Sequence, residues 1–588
     1  IPLGKLSLPY PHFRLISGTI MQPLAGNIER AWSEKWFAIS DRIGILLKAC
    51  KNRKTSEAWN STESVFAIPV RFYSLDNRQF IENRQTGLRD SLKKGVLDMT
   101  DLAFQSTTDL TNAIKSRKIR SIELLELYIE RMQHHNPKIN AIVATDLDNA
   151  RKRALAADKA LDKGESWGAL HGLPMTIKDS FEVVGMPCTS GSPDLKDYQP
   201  TKNAFVVQKL LDEGAVIFGK TNLPLFAMDL QSYNKVYGQT NNPWNQDRVP
   251  GGSSGGAAAA LAAGLTGLEM GSDIGGSIRN PAHFCGVFGH KSTFGIVPLI
   301  GHIPPPPGTY PGEYTTDTDI AVAGPMARSA NDLDLVMDLI TSPQGPQTTA
   351  WSIELPPPRK KILKEFRIGL WLNDPAFPTD INVLDCLQNA VDTLVKAGAR
   401  IEENRPDIDF VRSHDIYHQL LTATTSAALP REMFDSTLDA AKNLSDDDRG
   451  DLARGIRGTT ILHRNWLGLN YARTMIRETW ADFFKEFDIL LCPAVSITAF
   501  PHDHTEDFFA RKLVVNDEDR SYFDTAVAWA GLTGMAYLPS TIAPVGLAQN
   551  GLPVGIQIVA PYLEDRTSIH FAKLIEDTVS GFISPPGF

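Results

Sequence analysis

The chain has 588 residues, 42 % hydrophobic and 22 % charged, a globular composition long enough for one large domain or two to three ordinary ones. Its formal net charge is −9, and its basic residues form no block beyond short pieces such as Arg359–Lys361, which excludes an electrostatic nucleic-acid footprint. Five cysteines without a CxxC pair argue against a disulfide framework or a zinc knuckle, and no apolar run reaches the roughly 18 residues of a membrane span. That cysteine usage fits a reducing compartment, so the expected localisation is cytoplasmic.

Residues 1–97 show no clear period. They mix aromatic pieces such as Tyr10–Ile16 with the polar Lys51–Glu63 stretch, and read as an extension that packs on the main body or on the second copy in a homodimer. From Leu102 the texture changes, and residues 98–588 read as one catalytic domain. Ser121 is placed to cap a helix whose apolar positions Ile122, Leu125, Ile129 and Met132 share a face, and Asn136-Pro137 should stop it. A second helix is expected from Leu147 to about Leu161.

Met175–Lys178 reads as a short strand, Ala204–Glu213 as a helix ended by Gly214, and Ala215–Phe218 as a buried strand. Strand, helix and strand in that order imply parallel pairing with helices on the sheet faces. Further strands are expected at Phe366–Leu372, Asp488–Cys492, Ser540–Val545 and Gly555–Val559. The Pro-rich segments Ile303–Pro311 and Leu355–Arg359 read as loops. Asp374–Phe487 reads as mostly helical with an exposed acidic run, Ser445–Asp448. The sum is a single large α/β fold.

The chemistry concentrates in Pro250-Gly-Gly-Ser-Ser-Gly-Gly256, an alanine-rich stretch, and Gly271-Ser-Asp-Ile-Gly-Gly-Ser-Ile-Arg279. Glycine lets the backbone bend sharply and bring its N–H groups near a ligand, where successive amides stabilise an oxyanion. A serine hydroxyl attacks a carbonyl once a base removes its proton. The helical, apolar Ala257–Leu265 run rejects a flexible linker, and the missing lysine after either glycine pair rejects a phosphate loop. Gly251–Gly255 does match the G-x-S-x-G nucleophile elbow. An elbow follows a buried strand, however, and Asn241–Pro250 is polar and broken by two prolines.

The block from Pro250 to His290 resembles the amidase signature family. Gly172-Leu-Pro-Met-Thr-Ile-Lys178-Asp179, Gly219-Lys-Thr-Asn222, Tyr237-Gly-Gln-Thr-Asn-Asn-Pro-Trp244, Gly324-Pro-Met-Ala-Arg328 and Gly551-Leu-Pro-Val-Gly-Ile-Gln557 agree with it in order. The resemblance covers roughly Leu102 to Asp577. It implies a large central mixed β-sheet covered by helices on both faces, with 374–487 as a variable helical region near the substrate pocket. It also implies hydrolysis of an amide C–N bond without metal or organic cofactor. Ser277 takes the nucleophile position, Ser253 the bridging position after a cis peptide bond, and Lys178 the position of the base. The N–H groups of Ile274, Gly275, Gly276 and Ser277 take the oxyanion-hole positions, and Met228 falls where relatives line the pocket.

Ser180, Ala257 and Ser272 depart from the commonest family residues, which puts the transfer of a substrate from relatives in doubt. A lysine is ordinarily protonated and becomes a base only when burial removes its charge. The ordinary alternative for Lys178 is a surface lysine paired with Asp179. Asp273 and Arg279 are expected as an internal ion pair, Cys285 as buried packing, and His502-Asp-His504 as solvated surface. The implied partner is a small-molecule amide. Two rival functions are a component of a tRNA-dependent amidotransferase and an inactive amidase-like binding protein.

Overall fold

The computed structural model describes residues 102–307 and 318–588. The expected extension, residues 1–97, therefore lies outside the described residues, as do 308–311 of the Pro-rich loop.

The chain opens with helices α1 (Thr107–Lys115) and α2 (Ser121–Ile139), strand β1 (Ile142–Thr145), helix α3 (Leu147–Asp162) and strand β2 (Pro174–Lys178). Helix α4 (Phe205–Asp212), strand β3 (Val216–Thr221) and a small hairpin, β4 (Tyr233–Asn234) with β5 (Gly238–Gln239), come next. Helix α5 (Gly255–Ala262), strand β6 (Glu269–Asp273), helix α6 (Arg279–Cys285) and strands β7 (Phe288–Lys291) and β8 (Val322–Ala327) form the central segment. Helix α7 (Ala330–Ile340), strand β9 (Arg367–Leu370), helix α8 (Ile381–Lys396) and strand β10 (Arg400–Glu402) follow. The helical region continues with α9 (Phe410–Thr425), α10 (Arg431–Ala441), α11 (Asp451–Thr459) and α12 (His463–Glu486). Strand β11 (Ile489–Pro493), the hairpin β12 (Lys512–Val515) and β13 (Glu518–Ser521), helix α13 (Tyr522–Gly534), strands β14 (Ser540–Leu547) and β15 (Pro553–Val559), and helix α14 (Asp565–Thr578) complete the domain.

Eight strands form a mixed sheet in the order β10-β9-β11-β15-β14-β7-β8-β6, parallel from β10 to β11 and antiparallel thereafter. Helix α6 packs against β14, β15 and β7, and α14 against β14. The expected parallel pair is present as β2 and β3, in register Lys178 to Thr221. It belongs to a separate three-stranded sheet, β1-β3-β2, and not to the large one. Four strands of the large sheet are absent from the sequence reading: the three-residue β10, inside the stretch read as mostly helical, and β6, β7 and β8. In the last three, glycine, proline and polar residues break the alternating β-branched pattern that marks an ordinary strand.

Helix α2 corrects two details. Its N-cap is Arg120, not Ser121, and the buried Asp158 carboxylate accepts the Ser121 and Ile122 N–H groups at 2.8 and 3.3 Å. Ser121 instead donates its hydroxyl to Gly172 O. The helix also runs through Pro137 to Ile139 and ends at Asn140 in the left-handed region, φ 54°. A proline in the last turn removes one N–H without blocking the two residues after it.

The β2 strand reaches the large sheet through side chains. Thr266 Oγ1 accepts the Thr176 N–H at 2.9 Å, and Thr176 donates its hydroxyl to Glu269 of β6. Helix α5 is buried along its whole length, so it presents no polar face. Its second residue is pressed onto β3's exit: a Cβ on Gly256 would lie 2.4 Å from Asn222 N and 2.6 Å from Asn222 O. We expect Gly256→Ala to destabilise the fold by about 1–3 kcal/mol through this backbone clash. Gly468→Ala, on the exposed side of α12 with nothing within 4 Å of the new methyl, should stabilise it by about 0.5–1 kcal/mol. Calorimetric melting of the two variants checks the opposite signs.

Candidate active site

Strand β2 ends inside the protein, and its last residue, Lys178, is fully buried. Its amine lies 2.6 Å from Ser253 Oγ, 3.0 Å from Ser254 Oγ and 3.0 Å from Ser272 Oγ. Asp179 next to it is committed elsewhere, to the equally buried Lys220 at 3.1 Å. Lys178 is therefore neither a surface lysine nor the partner of Asp179. Burial without a carboxylate contact lowers its pKa from 10.5 to about 7, against the pull of Asp273 and Glu269. Glu269 is itself pushed up to about 8 by burial, so at neutral pH it carries a proton and does not hold Lys178 as an ammonium.

Hydrogen-bond accounting distinguishes the three hydroxyls. Ser254 donates to Ser272 O at 3.4 Å. His302 Nδ1 lies 2.9 Å from Pro304 O, and a carbonyl only accepts, so Nδ1 carries the proton. Burial, reinforced by Lys178, lowers the His302 pKa to about 4, leaving Nε2 unprotonated and able to accept the Ser272 hydroxyl at 2.9 Å. Ser254 and Ser272 thus have their protons assigned and face Lys178 as acceptors. Ser253 alone is left to donate to the lone pair of a neutral amine. The Gly252–Ser253 peptide bond is cis.

Ser277 sits 6 % exposed, and its hydroxyl makes no hydrogen bond among the described residues. Its carbonyl accepts the Ser254 N–H at 3.0 Å, which fastens the two serine segments together. The loop before it is held by the buried Asp273–Arg279 pair, Oδ1 to Nη2 2.8 Å and Oδ2 to Nε 3.1 Å. Burial alone would raise the Asp273 pKa; the Arg279 contacts win and bring it to about 2. Arg279 Nη1 also donates to Ala530 O, Thr533 Oγ1 and Gln557 Oε1, tying the loop to α13 and β15.

Gly276 has φ +100°, a region open to glycine and closed to most side chains, and it makes the bend that leads into Ser277. Its N–H donates to Asp273 Oδ1 at 2.9 Å. This amide, expected among the oxyanion donors, is thus spent inside the loop. The Ile274, Gly275 and Ser277 N–H groups make no hydrogen bond among the described residues. Tyr417 of α9 donates to Ile274 O at 3.0 Å and so sets the orientation of the peptide plane that ends in the Gly275 N–H.

Met228 ends the turn Leu225–Ala227 and is 41 % exposed, which excludes core packing for it. The next residue places its carbonyl against Gly252. Cys285 is fully buried, with its thiol pushed up by burial. Of the HxH segment expected as solvated surface, His504 is exposed and stacks on Tyr233 at 3.9 Å, whereas His502 is half-buried with its Nε2 out of reach of solvent. The sequence reading did not single out Glu269, His302 or Tyr417. Glu269 and Tyr417 carry no motif, and His302 directly precedes the Pro-rich stretch Ile303–Pro311, read only as a loop.

The chain matches the family model described as Amidase over residues 123–569. A glutamyl-tRNA(Gln) amidotransferase component from Bdellovibrio bacteriovorus is 32 % identical over 508 residues, 81 % of this chain and 97 % of that one. A solved bacterial aryl acylamidase of the amidase signature enzymes is 26 % identical, with a TM-score of 0.65 over 81 % of this chain and 96 % of its own. Fatty acid amide hydrolase, 21 % identical, shares the fold, with a TM-score of 0.65 over 87 % of this chain and 91 % of its own. The family match, the identity over nearly the full relative and the shared fold give one conclusion: the chain belongs to the amidase signature family.

Proposed function

We propose that this protein hydrolyses a carbon–nitrogen amide bond through an acyl-enzyme on Ser277, with Ser253 as proton relay and Lys178 as base. The observation that carries the reading is a buried amine with no carboxylate contact, facing one hydroxyl that is free to give it a proton. Neutral Lys178 takes the Ser253 proton while Ser253 takes that of Ser277, whose oxygen attacks the amide carbonyl. The tetrahedral oxyanion is met by the Ile274, Gly275 and Ser277 amides. The proton then returns along the same hydroxyls to the departing nitrogen, which leaves as an amine or ammonia. Water attacks the ester carbonyl by the same route, releasing the acid and restoring Ser277. Met228 borders the acyl pocket in this reading.

A second reading is supported by the identity to an amidotransferase component over nearly that protein's full length. In it the same serine releases ammonia for a partner protein. Amide hydrolysis by the purified chain alone favours the first reading; activity that requires an added partner favours the second.

A fluorophosphonate is expected to label one serine, and peptide mapping should place the adduct on Ser277. Labelling should slow in Ser253→Ala and vanish in Ser277→Ala. An adduct on Ser253 in the unmutated chain would return the nucleophile-elbow reading.

Because the active form of Lys178 is the neutral one, kcat/KM should rise with pH through about 7 and then level. Lys178→Ala should remove that limb and lower the rate by several orders of magnitude with the melting transition retained. A wild-type rate in Lys178→Ala excludes the base assignment.

His302 is a positioning residue in this scheme. His302→Leu frees the Ser272 proton to compete with Ser253 for the amine, and we expect a loss of about tenfold, about 1.4 kcal/mol, in kcat. Adding Ser272→Ala removes the competitor and should restore part of that loss. Additive effects in the double variant would show that His302 acts only through packing.

A further inference from the structure

Helix α9 carries a second cluster that the amide chemistry leaves unused. His414 and His418 are four residues apart and so share one face of the helix. Asp524, in the first turn of α13, completes a group in which one donor atom from each residue lies within 4.8 Å of the other two. His414 Nε2 is 2.6 Å from Asp524 Oδ1. Both histidines are buried, at 2 % and 0 % exposure. His414 Nδ1 and both ring nitrogens of His418 have no hydrogen-bond partner among the described residues.

An imidazole always has one donor or acceptor on each nitrogen, and buried groups of that kind are nearly always satisfied. His418 stacks on Phe523 at 4.2 Å, so the ring is held in place while its polar edge goes unused. Arg454 contacts the Asp415, Asp451 and Asp524 carboxylates, so acidic groups outnumber the one guanidinium beside the cluster. Access is present, since the Asp524 side chain keeps 20 % exposure and that of Asp415 32 %.

We propose that His414, His418 and Asp524 form a binding site for a divalent transition metal of the zinc type. Two imidazoles and one carboxylate suit zinc, whereas magnesium and calcium prefer oxygen donors alone. Small rotations bring the three groups onto one ion, which replaces the His414–Asp524 hydrogen bond and gives His418 the partner it lacks; water fills the remaining position. Arg454 holds the far oxygen of Asp524 at 2.6 Å and keeps the carboxylate aimed at the site. The role is structural. The ion fixes α9 to α13, and these two helices supply Tyr417, the Ala526 carbonyl on Asn280 and the Ala530 carbonyl on Arg279, the outer contacts of the Ser277 loop.

The test uses the full chain, stripped with a chelator and titrated with zinc. One equivalent should bind by calorimetry and by elemental analysis after desalting, and Tm should rise. Cobalt(II) in place of zinc should give visible d–d absorption of a nitrogen- and oxygen-ligated ion. His418→Phe keeps the ring stacked on Phe523 but removes a ligand, and should lose the bound equivalent and the Tm rise. His504→Ala should keep both. The proposal is overturned if the unmutated chain takes up no stoichiometric zinc, or if His414→Phe/His418→Phe still binds it. Should either substitution prevent folding, the cobalt spectrum of the unmutated chain decides alone. None of these readouts depends on Ser277.

Discussion

Everything at the candidate site follows from one constraint: Lys178 is buried among hydroxyls and touches no carboxylate. An ammonium in that position would have three acceptors but no countercharge, and desolvation makes that state expensive. The protein meets the constraint by withholding the charges that would cancel it. Asp179, one residue away, is taken by Lys220. Glu269, on the facing strand, keeps its own proton. Asp273 spends its two oxygens on Arg279 and on the Gly276 and Ile278 amides. Asp273 and Glu269 lie near the amine without contacting it, and this is what would let Lys178 serve as the base in the proposed mechanism.

The same economy limits the amides around Ser277. The Asp273–Arg279 pair is fully buried, and a buried pair contributes little net stability unless its remaining valences are satisfied. Here those valences are satisfied by the loop's own N–H groups, by the Ala530 carbonyl and Thr533 hydroxyl of α13, and by Gln557 of β15. Its role in this protein is geometric: it fixes the bend at Gly276 at the expense of one amide. The three N–H groups left over belong to consecutive or nearly consecutive residues in a segment that Tyr417 and Asn280 also hold. A loop rich in glycine is thereby held in place by polar contacts.

Much of this was legible in the sequence, because it depends on residue types that the backbone geometry demands. The glycine-flanked serines, the alanine-rich helix between them and the apolar run ending at Lys178 are all local patterns. So are β9, β11, β14 and β15, whose apolar residues mark buried strands. The strands β6, β7 and β8 carry no such pattern, since they are recognisable only by what they pair with. The link from β2's small sheet to the large one likewise depends on Thr176, Thr266 and Glu269 meeting across a distance of some ninety positions. His302 joins the site from the residue before a proline-rich loop, and His414 and His418 look like any polar residues in a helix until Asp524 is brought beside them. In each of these cases the information lies in tertiary contact.

Lys291 shows why geometry has to carry the assignment of the base. It is fully buried, and burial lowers its pKa to about 7, as it does for Lys178. By electrostatics alone the two lysines are equivalent candidates. Their partners differ. Lys291 donates to the Leu538 and Ser292 carbonyls at 2.8 and 3.1 Å, groups that accept hydrogen bonds and have no proton to give. Lys178 faces hydroxyls, and one of them, that of Ser253, is uncommitted. A depressed pKa makes an amine available as a base, but only a neighbouring donor turns that availability into proton transfer. The same reasoning applies within the serine cluster, where Ser254 and Ser272 stand as close to the amine as hydrogen bonding requires and are set apart from Ser253 by where their own protons go.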